Sequence, residues 1–450
     1  MGTLITPLSG WGRYPVQTCE LERPERYADL RPTATSVIAR GQGRSYGDAA
    51  LNEGGRVLLT ERVNRLLAFD AEQGILRAEA GTTLAEILPV IVAKGWFLPV
   101  TPGTKFVSLG GCVAADVHGK NHHHDGSFGD HVVALEMILA DGSRVRCSPS
   151  ERPELFWATV GGMGLTGIIG EVTLRLVRIQ SAQMMVRHHA AANLEQLFQV
   201  LQDPGRDDRY TVAWIDCLAG GQKLGRGVAM CGHHASLDEL PPGYGKALEA
   251  RPVRSRNMPI DLPGWALNPL SIGMFNALYF RHEGKKQQPF LSAYDPYFYP
   301  LDGIGRWNRM YGKRGFVQYQ CVIPDAAAFE GIKALLQELS ASRRASFLAV
   351  LKRLGRQGQG MLSFPMSGYT LALDLPIRDQ GLFGLLNRLD EIVLRHGGRV
   401  YLAKDARLPV QSFRIMYPRC DELLNVKSSV DSEHRFGSSM SRRLGIGGGK

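Results

Sequence analysis

The sequence has no run of about 18 apolar residues, so it does not read as a membrane-spanning chain. Its first residues, MGTLITPLSGWGRYPVQ, lack the basic start and apolar core of a secretory signal. The expected location is therefore cytoplasmic or peripheral to the inner membrane, with periplasmic exposure left open. Cysteine is scarce and unpatterned: Cys19, Cys112, Cys147, Cys217, Cys231, Cys321 and Cys420 form no CxxC or zinc-ligand spacing. That excludes a disulfide framework and leaves reduced or buried thiols. Proline, at 24 residues, sits near the usual ~5%, which excludes collagen-like and Pro-rich linker classes.

Glycine is abundant instead, with 52 in 450 residues against a typical ~7%. Without a proline excess, such glycines mark backbone that turns tightly or approaches a ligand closely. The length suits two to three domains. The 53 basic and 43 acidic residues leave a net charge of +10, which favours an anionic partner: nucleic acid, a phosphorylated metabolite or an anionic membrane surface. No helix-turn-helix, RRM or zinc-finger pattern appears and the basic residues are dispersed, so a nucleic-acid binder is disfavoured.

Along the chain, residues 37–180 alternate short apolar runs with glycine turns. Val37–Arg40, 56–60 and 66–69 read as strands, and 82–94 as a helix with Leu84, Ile87, Leu88, Ile91 and Val92 on one face, a threonine start and Gly95 at its end. Residues 132–139 and 144–147 about Asp141-Gly142 predict a hairpin, and the segment ending at 176 predicts an alternating strand. From about 183 to 399 glycine thins out. Strands are expected at 210–216, 315–323 and 370–375, and helices at 325–340 and 382–395. The proline-interrupted, basic and apolar segment 252–290 is expected to be irregular or mobile. The fold class is α+β with two domains.

Three glycine loops carry the chemistry. The first, Arg40–Asp48 (RGQGRSYGD), lets backbone N–H groups converge on an anion, yet is neither GxGxxG nor GxxxxGK[ST], so the Rossmann and P-loop folds are not supported. Pro102-Gly103-Thr104 with Ser108–Gly111 is the second, and Gly161–Gly167 the third. Three such loops in one α+β unit suggest a long diphosphate cofactor held along its length. With VHGKNHHHDGSFGDHV, ELFWATVGGMGLTGII, GRWNRMYG, VQYQCVIP, YLAKDAR and the closing MSRRL, the chain resembles the FAD-binding flavoproteins of vanillyl-alcohol oxidase or p-cresol methylhydroxylase (PCMH) type. Within them it is similar, from Gly10 to Leu444, to the branch that oxidises polyprenylphosphoryl-β-D-ribose.

The resemblance implies an FAD-binding domain at 1–182, a substrate-binding domain at 183–398, and a C-terminal return to the FAD domain at 399–450. It places the FAD diphosphate on Gly41, Gly43, Arg44, Ser45 and Tyr46, and on Gly103, Thr104, Ser108, Gly110 and Gly111. Ala114, His118, Gly119, Gly164 and Ile169 follow along the cofactor. Relatives with covalent FAD carry a histidine where Arg44 stands, so FAD is expected to be non-covalent. Lys404 matches a lysine that reaches the flavin ring and stabilises its reduced, negative form. Gln320, Gln318, Lys352 and Tyr46 match pocket positions. Ala372 and Thr370 stand where relatives carry a cysteine, the attachment point of covalent inhibitors, and an asparagine; Met163 replaces an asparagine in the third loop. Catalysis is expected to rest on Lys404, His118, Tyr46 and Gln320, the proton going to His118, Lys404, Tyr46 or water. His122, His123 and His124 invite a metal reading, but in an extended chain they would point to alternate sides, so no metal is expected.

The implied reaction moves a hydride from the ribose 2′ carbon to flavin. The resulting 2′-keto sugar would be reduced by a partner NAD(P)H-dependent short-chain reductase, giving an arabinose donor for arabinan or another cell-wall glycan. A membrane surface is a further expected contact. The alternative is an FAD-dependent oxidase or dehydrogenase of a soluble alditol, aldose or sugar lactone, which would share the FAD domain and differ in the pocket.

Overall fold

A computed structural model describes residues 4–203, 208–249, 256–344, 346 and 348–447. The first sheet runs β1-β2-β4-β3, from Leu4–Ser9 (β1), Val16–Glu22 (β2), Val37–Arg40 (β3) and Arg56–Leu59 (β4). β3 and β4 are parallel, with the buried Ile38 opposite the buried Val57, which suits their β-branched pattern. The first glycine loop leaves the carboxyl end of β3.

The second sheet runs β5-β6-β10-β8-β9, from Leu66–Asp70 (β5), Ile75–Glu79 (β6), Val132–Ile138 (β8), Arg144–Cys147 (β9) and Ile168–Arg175 (β10). A two-residue ribbon, Trp96–Phe97 (β7) with Val177–Arg178 (β11), flanks it. β8 and β9 form the predicted hairpin, with Gly142 at φ +85°. β10 alternates only toward its end. Its first half is central in the sheet and packs against α2 (Leu109–Ala114), so both faces are buried. α1 (Leu84–Val92) buries the five predicted apolar residues, and Thr83 and Glu86 close its capping box. α3 (His122–Asp125) and α4 (Pro153–Thr159) are short.

The third sheet runs β16-β12-β14-β13-β19-β20-β18-β21. Its strands are Gln183–Ala191 (β12), Tyr210–Ile215 (β13), Gly227–His234 (β14), Phe290–Ala293 (β16), Phe316–Pro324 (β18), Ala349–Leu354 (β19), Gly368–Pro376 (β20) and Arg399–Val400 (β21). α5 (Leu194–Gln202), α8 (Ala328–Ser342) and α9 (Gly381–Arg395) cover one face with their apolar sides, where Phe198 stacks on Tyr369 at 4.3 Å. The other face looks toward the glycine loops. The expectation for 252–290 is corrected in part: residues 252–255 lie outside the described residues and 258–268 carry no regular element, but Arg256–Asn257 (β15) pairs with Ile304–Gly305 (β17), and a 15-residue helix, α6 (Pro269–Glu283), follows. Asn268 caps α6 and Pro269 occupies its first position, where proline starts a helix instead of breaking it. α7 (Tyr294–Phe298) follows.

The C-terminal helices α10 (Val410–Met416), α11 (Cys420–Val430) and α12 (Ser439–Arg443) return to the first sheet. Val37 N donates to Arg435 O at 2.8 Å, and Ser439 N to Leu51 O at 2.8 Å. Arg443 grips Asp48 at 2.8 Å and Asp405 at 2.9 Å. All seven cysteines are buried and none forms a disulfide among the described residues.

Candidate active site

The glycine loops meet in one cavity between the first two sheets and the open face of the third. Their glycines serve different ends. A Cβ on Gly41 would fall 2.0 Å from Ser108 Oγ, and one on Gly47 would fall 1.5 Å from Asp405 O, so these two let the loops close on each other. Gly43 (φ +61°) and Gly164 (φ +79°) take the left-handed backbone. A Cβ on Gly103, an exposed residue that lines the cavity, would meet no described protein atom within 4 Å. That open floor fits a cofactor lying against bare backbone. Gly110 differs from a simple anion nest, because its N–H already donates to Ala80 O at 2.8 Å, and the Gly111 N–H is capped by Ser108 Oγ at 3.3 Å. Their contribution is room.

Arg44 lies over the Trp11 ring at 4.0 Å, a cation–π contact that holds its charge at the cavity wall. Thr104 Oγ1 donates to Asp302 at 2.7 Å, which fixes the second loop. Met163 stands at φ +54°, a conformation asparagine tolerates better than methionine.

At the far end, His118 is 4% exposed between the second sheet and the third. Gln320 Nε2 donates to His118 Nε2 at 2.9 Å and to Thr370 Oγ1 at 3.1 Å, and Lys352 Nζ stands 3.4 Å from His118 Nδ1. Burial, reinforced by Lys352, pushes the imidazole well below its usual range, so it is neutral. A neutral imidazole carries one proton. This arrangement puts it on Nδ1, facing an unprotonated Lys352 amine; a charged Lys352 reverses the tautomer and turns the Gln320 amide. Burial lowers Lys352 to about 8.

Lys404 Nζ lies over the Tyr46 ring at 4.1 Å. Burial lowers it to about 7, with Asp374 opposing the fall. Lys120, lowered by burial to about 7, donates to the Tyr297 carbonyl and sits over that ring at 4.2 Å. Asp374 is fully buried behind this group: Gln318 Nε2 donates to its Oδ1 at 2.5 Å and the Tyr311 hydroxyl is 3.5 Å from Oδ2. Burial raises its carboxyl to about 7. Among the described residues, Arg40, Arg44, Lys120, Lys352 and Lys404 line the cavity and no carboxylate does.

All the residues proposed from sequence for FAD or substrate line this one cavity except Thr370. Thr370 is corrected: it is fully buried behind Gln320 and orients that amide without facing the cavity. The extended geometry expected for His122–His124 is also corrected. These residues form a helical turn framed by Asn121 and Gly126, in which His122 Nδ1 accepts from Gly355 N at 3.0 Å. Among the described residues no His, Cys, Asp or Glu group could hold a metal ion. Sequence reasoning missed Trp11, Lys120, Trp214, Tyr279 and Asp374. Lys120 lies two residues from His118 inside a quoted motif. Asp374 is the lone charge in an otherwise apolar strand, a signal in itself.

A glycine-floored, cation-lined cleft joined to an open sheet face defines an FAD-dependent oxidoreductase of α+β, PCMH type, and residues 20–148 match the family described as an FAD binding domain. The match to whole proteins is more specific. The chain is 36% identical, over 98% of both chains, to decaprenylphosphoryl-β-D-ribose oxidase of Mycolicibacterium smegmatis, and belongs to that oxidase family. It is also 34% identical to an uncharacterised Streptomyces coelicolor protein, over 81% of this chain and all of that one. Human Δ(24)-sterol reductase is 32% identical over 25% of this chain and 22% of its own length.

Proposed function

We propose that the enzyme oxidises the 2′-hydroxyl of a polyprenylphosphoryl-β-D-ribose to the 2′-keto sugar, and that a nicotinamide-dependent short-chain reductase completes the epimerisation to the arabinose donor. The observation that carries this reading is a cavity lined, among the described residues, by two arginines and three lysines and no carboxylate, beside a sheet face that turns apolar. These basic groups exceed what one cofactor diphosphate needs and suit a second, substrate phosphate. Across the sheet, Gln320, Ala372, Val350 and Trp214 are successive register partners. At ~4.8 Å per strand the face runs about 14 Å from polar to apolar, in the order sugar, then prenyl.

FAD, when bound, supplies the hydride acceptor. Gly41, Gly43, Gly103 and Gly164 leave room for it, and Lys404 sets a positive charge beside Tyr46 where negative charge develops. Gln320 and Lys352 orient the sugar, and neutral His118 accepts the hydroxyl proton. Arg44, packed on Trp11, stands at the attachment position and leaves FAD non-covalent. Residues 1–182 with 399–450 form the FAD unit and 183–398 the substrate unit. The test is anaerobic mixing with polyprenylphosphoryl-ribose while flavin absorbance is followed, with alditols and lactones as controls. Bleaching by the ribosyl lipid is expected; bleaching by a free sugar alone would overturn the reading.

A further inference from the structure

α6 is apolar on both sides, yet only one side is covered. Inward, Asn276 Nδ2 donates to Asp216 Oδ1 at 2.7 Å, His188 Nδ1 lies 3.2 Å from Glu283 Oε2, and Tyr279 packs on Trp214 at 4.8 Å, so the helix is fixed to the third sheet. Outward, Leu270, Met274 and Leu278 are 85%, 66% and 61% exposed, and they recur every four residues, one stripe about 12 Å long. Trp265 and Ile260, just before the helix, are exposed as well. Surface of this kind is covered by something in use.

Charge says what. Arg281 and Lys285 continue the stripe, are exposed, and form no ion pair with a described residue. The nearby acids are engaged elsewhere: Glu283 with His188 and Lys286, Asp261 with Arg13 and Arg309. A second copy meeting this stripe about a two-fold axis would bring the same cations to it and, from the acids beside the stripe, only carboxylates already engaged. An anionic bilayer offers both an apolar interior and negative headgroups. No helix of the described residues is long and apolar enough to cross a membrane, so the contact is one of lying on the surface. Tyr279, on the inner side of the same helix, lines the cavity wall with Trp214.

We propose that α6 seats the enzyme on an anionic phospholipid bilayer, its Leu270, Met274 and Leu278 stripe in the interface, so that the apolar end of the cavity opens against the lipid. The proposal rests on the reading above only for why the cavity should face lipid.

The experiment is flotation of the holoenzyme with vesicles of phosphatidylcholine alone or with phosphatidylglycerol, at low and high salt. The wild type floats with the anionic vesicles. Leu270→Glu with Leu278→Glu lowers flotation at least tenfold, while flavin absorbance and bleaching by a short-chain, water-soluble prenylphosphoryl-ribose are kept. Arg281→Glu with Lys285→Glu abolishes the preference for anionic lipid. A wild type that floats with neither vesicle, a Leu270/Leu278 variant that floats unchanged, or a stripe that makes a dimer without vesicle binding would each overturn the proposal. Failure of the ribosyl lipid to bleach the flavin in detergent would instead sink the substrate assignment and leave flotation untouched.

Discussion

Replacing Asp374 with asparagine separates stability from function. Asp374 is fully buried, and burial raises its carboxyl from 3.8 to about 7 against the opposing pull of Gln318, Lys404 and Tyr311. A carboxyl whose folded-state pKa is raised gives stability that is fully present below its unfolded value and is lost as pH rises through the folded one. Three pK units correspond to about 4 kcal/mol, of which about 2 kcal/mol falls between pH 5.5 and 8. Asparagine still accepts from Gln318 but has no proton to lose, so Asp374→Asn gains about 2 kcal/mol on the wild type across that window. For a unfolding unit of about 200 residues this is roughly 4–8 °C in Tm. Thermal unfolding of the holoenzyme at half-unit pH steps measures it. Lys404 loses its counter-charge in the same variant, so the alkaline limb of flavin reduction moves below about pH 7. A stability difference that is flat with pH, or that shrinks as pH rises, would refute the buried-carboxyl reasoning.

Lys404→Met lowers the rate of flavin reduction by about 100- to 1000-fold with flavin retained, as stopped-flow absorbance would record. The wild-type rate declines above about pH 7 as Lys404 loses its proton, and Lys404→Arg flattens that decline. Gly103→Ala leaves urea stability within about 0.5 kcal/mol of wild type, because its methyl meets no described protein atom, but weakens FAD binding at least tenfold by fluorescence titration if the cofactor lies against this part of the cavity lining. Arg443→Ala strands the carboxylates of Asp48 and Asp405, which are 5% and 3% exposed, and costs about 3–5 kcal/mol in urea unfolding.

The cofactor floor was legible in the amino-acid order because glycine is demanded by backbone geometry, which is local: Gly43 and Gly164 need a left-handed φ and Gly103 needs open space. The reactive cluster was not legible from residues alone. His118 and Gln320 are 202 positions apart, and only the resemblance brought them together. α6 escaped because its outward face is as apolar as its inward one, so no helical period stood out. The histidine run misled through its assumed extended backbone, when Asn121 and Gly126 turn it into a helix. Thr370 was placed on a strand, as found, but one layer too close to the ligand, since it lies buried behind Gln320.

The grip of Arg443 on Asp48 spans 395 positions of the chain. The ribosome therefore makes every glycine loop long before it makes Lys404 and the tail that clasps the first loop. A nascent N-terminal half holds an open cradle, and its wall is completed only near the end of synthesis. Contacts of such range make folding slow and leave the half-made cleft exposed to misassembly. Closing of the first loop by the Arg443 clasp is thus a late event, timed by the completion of the tail.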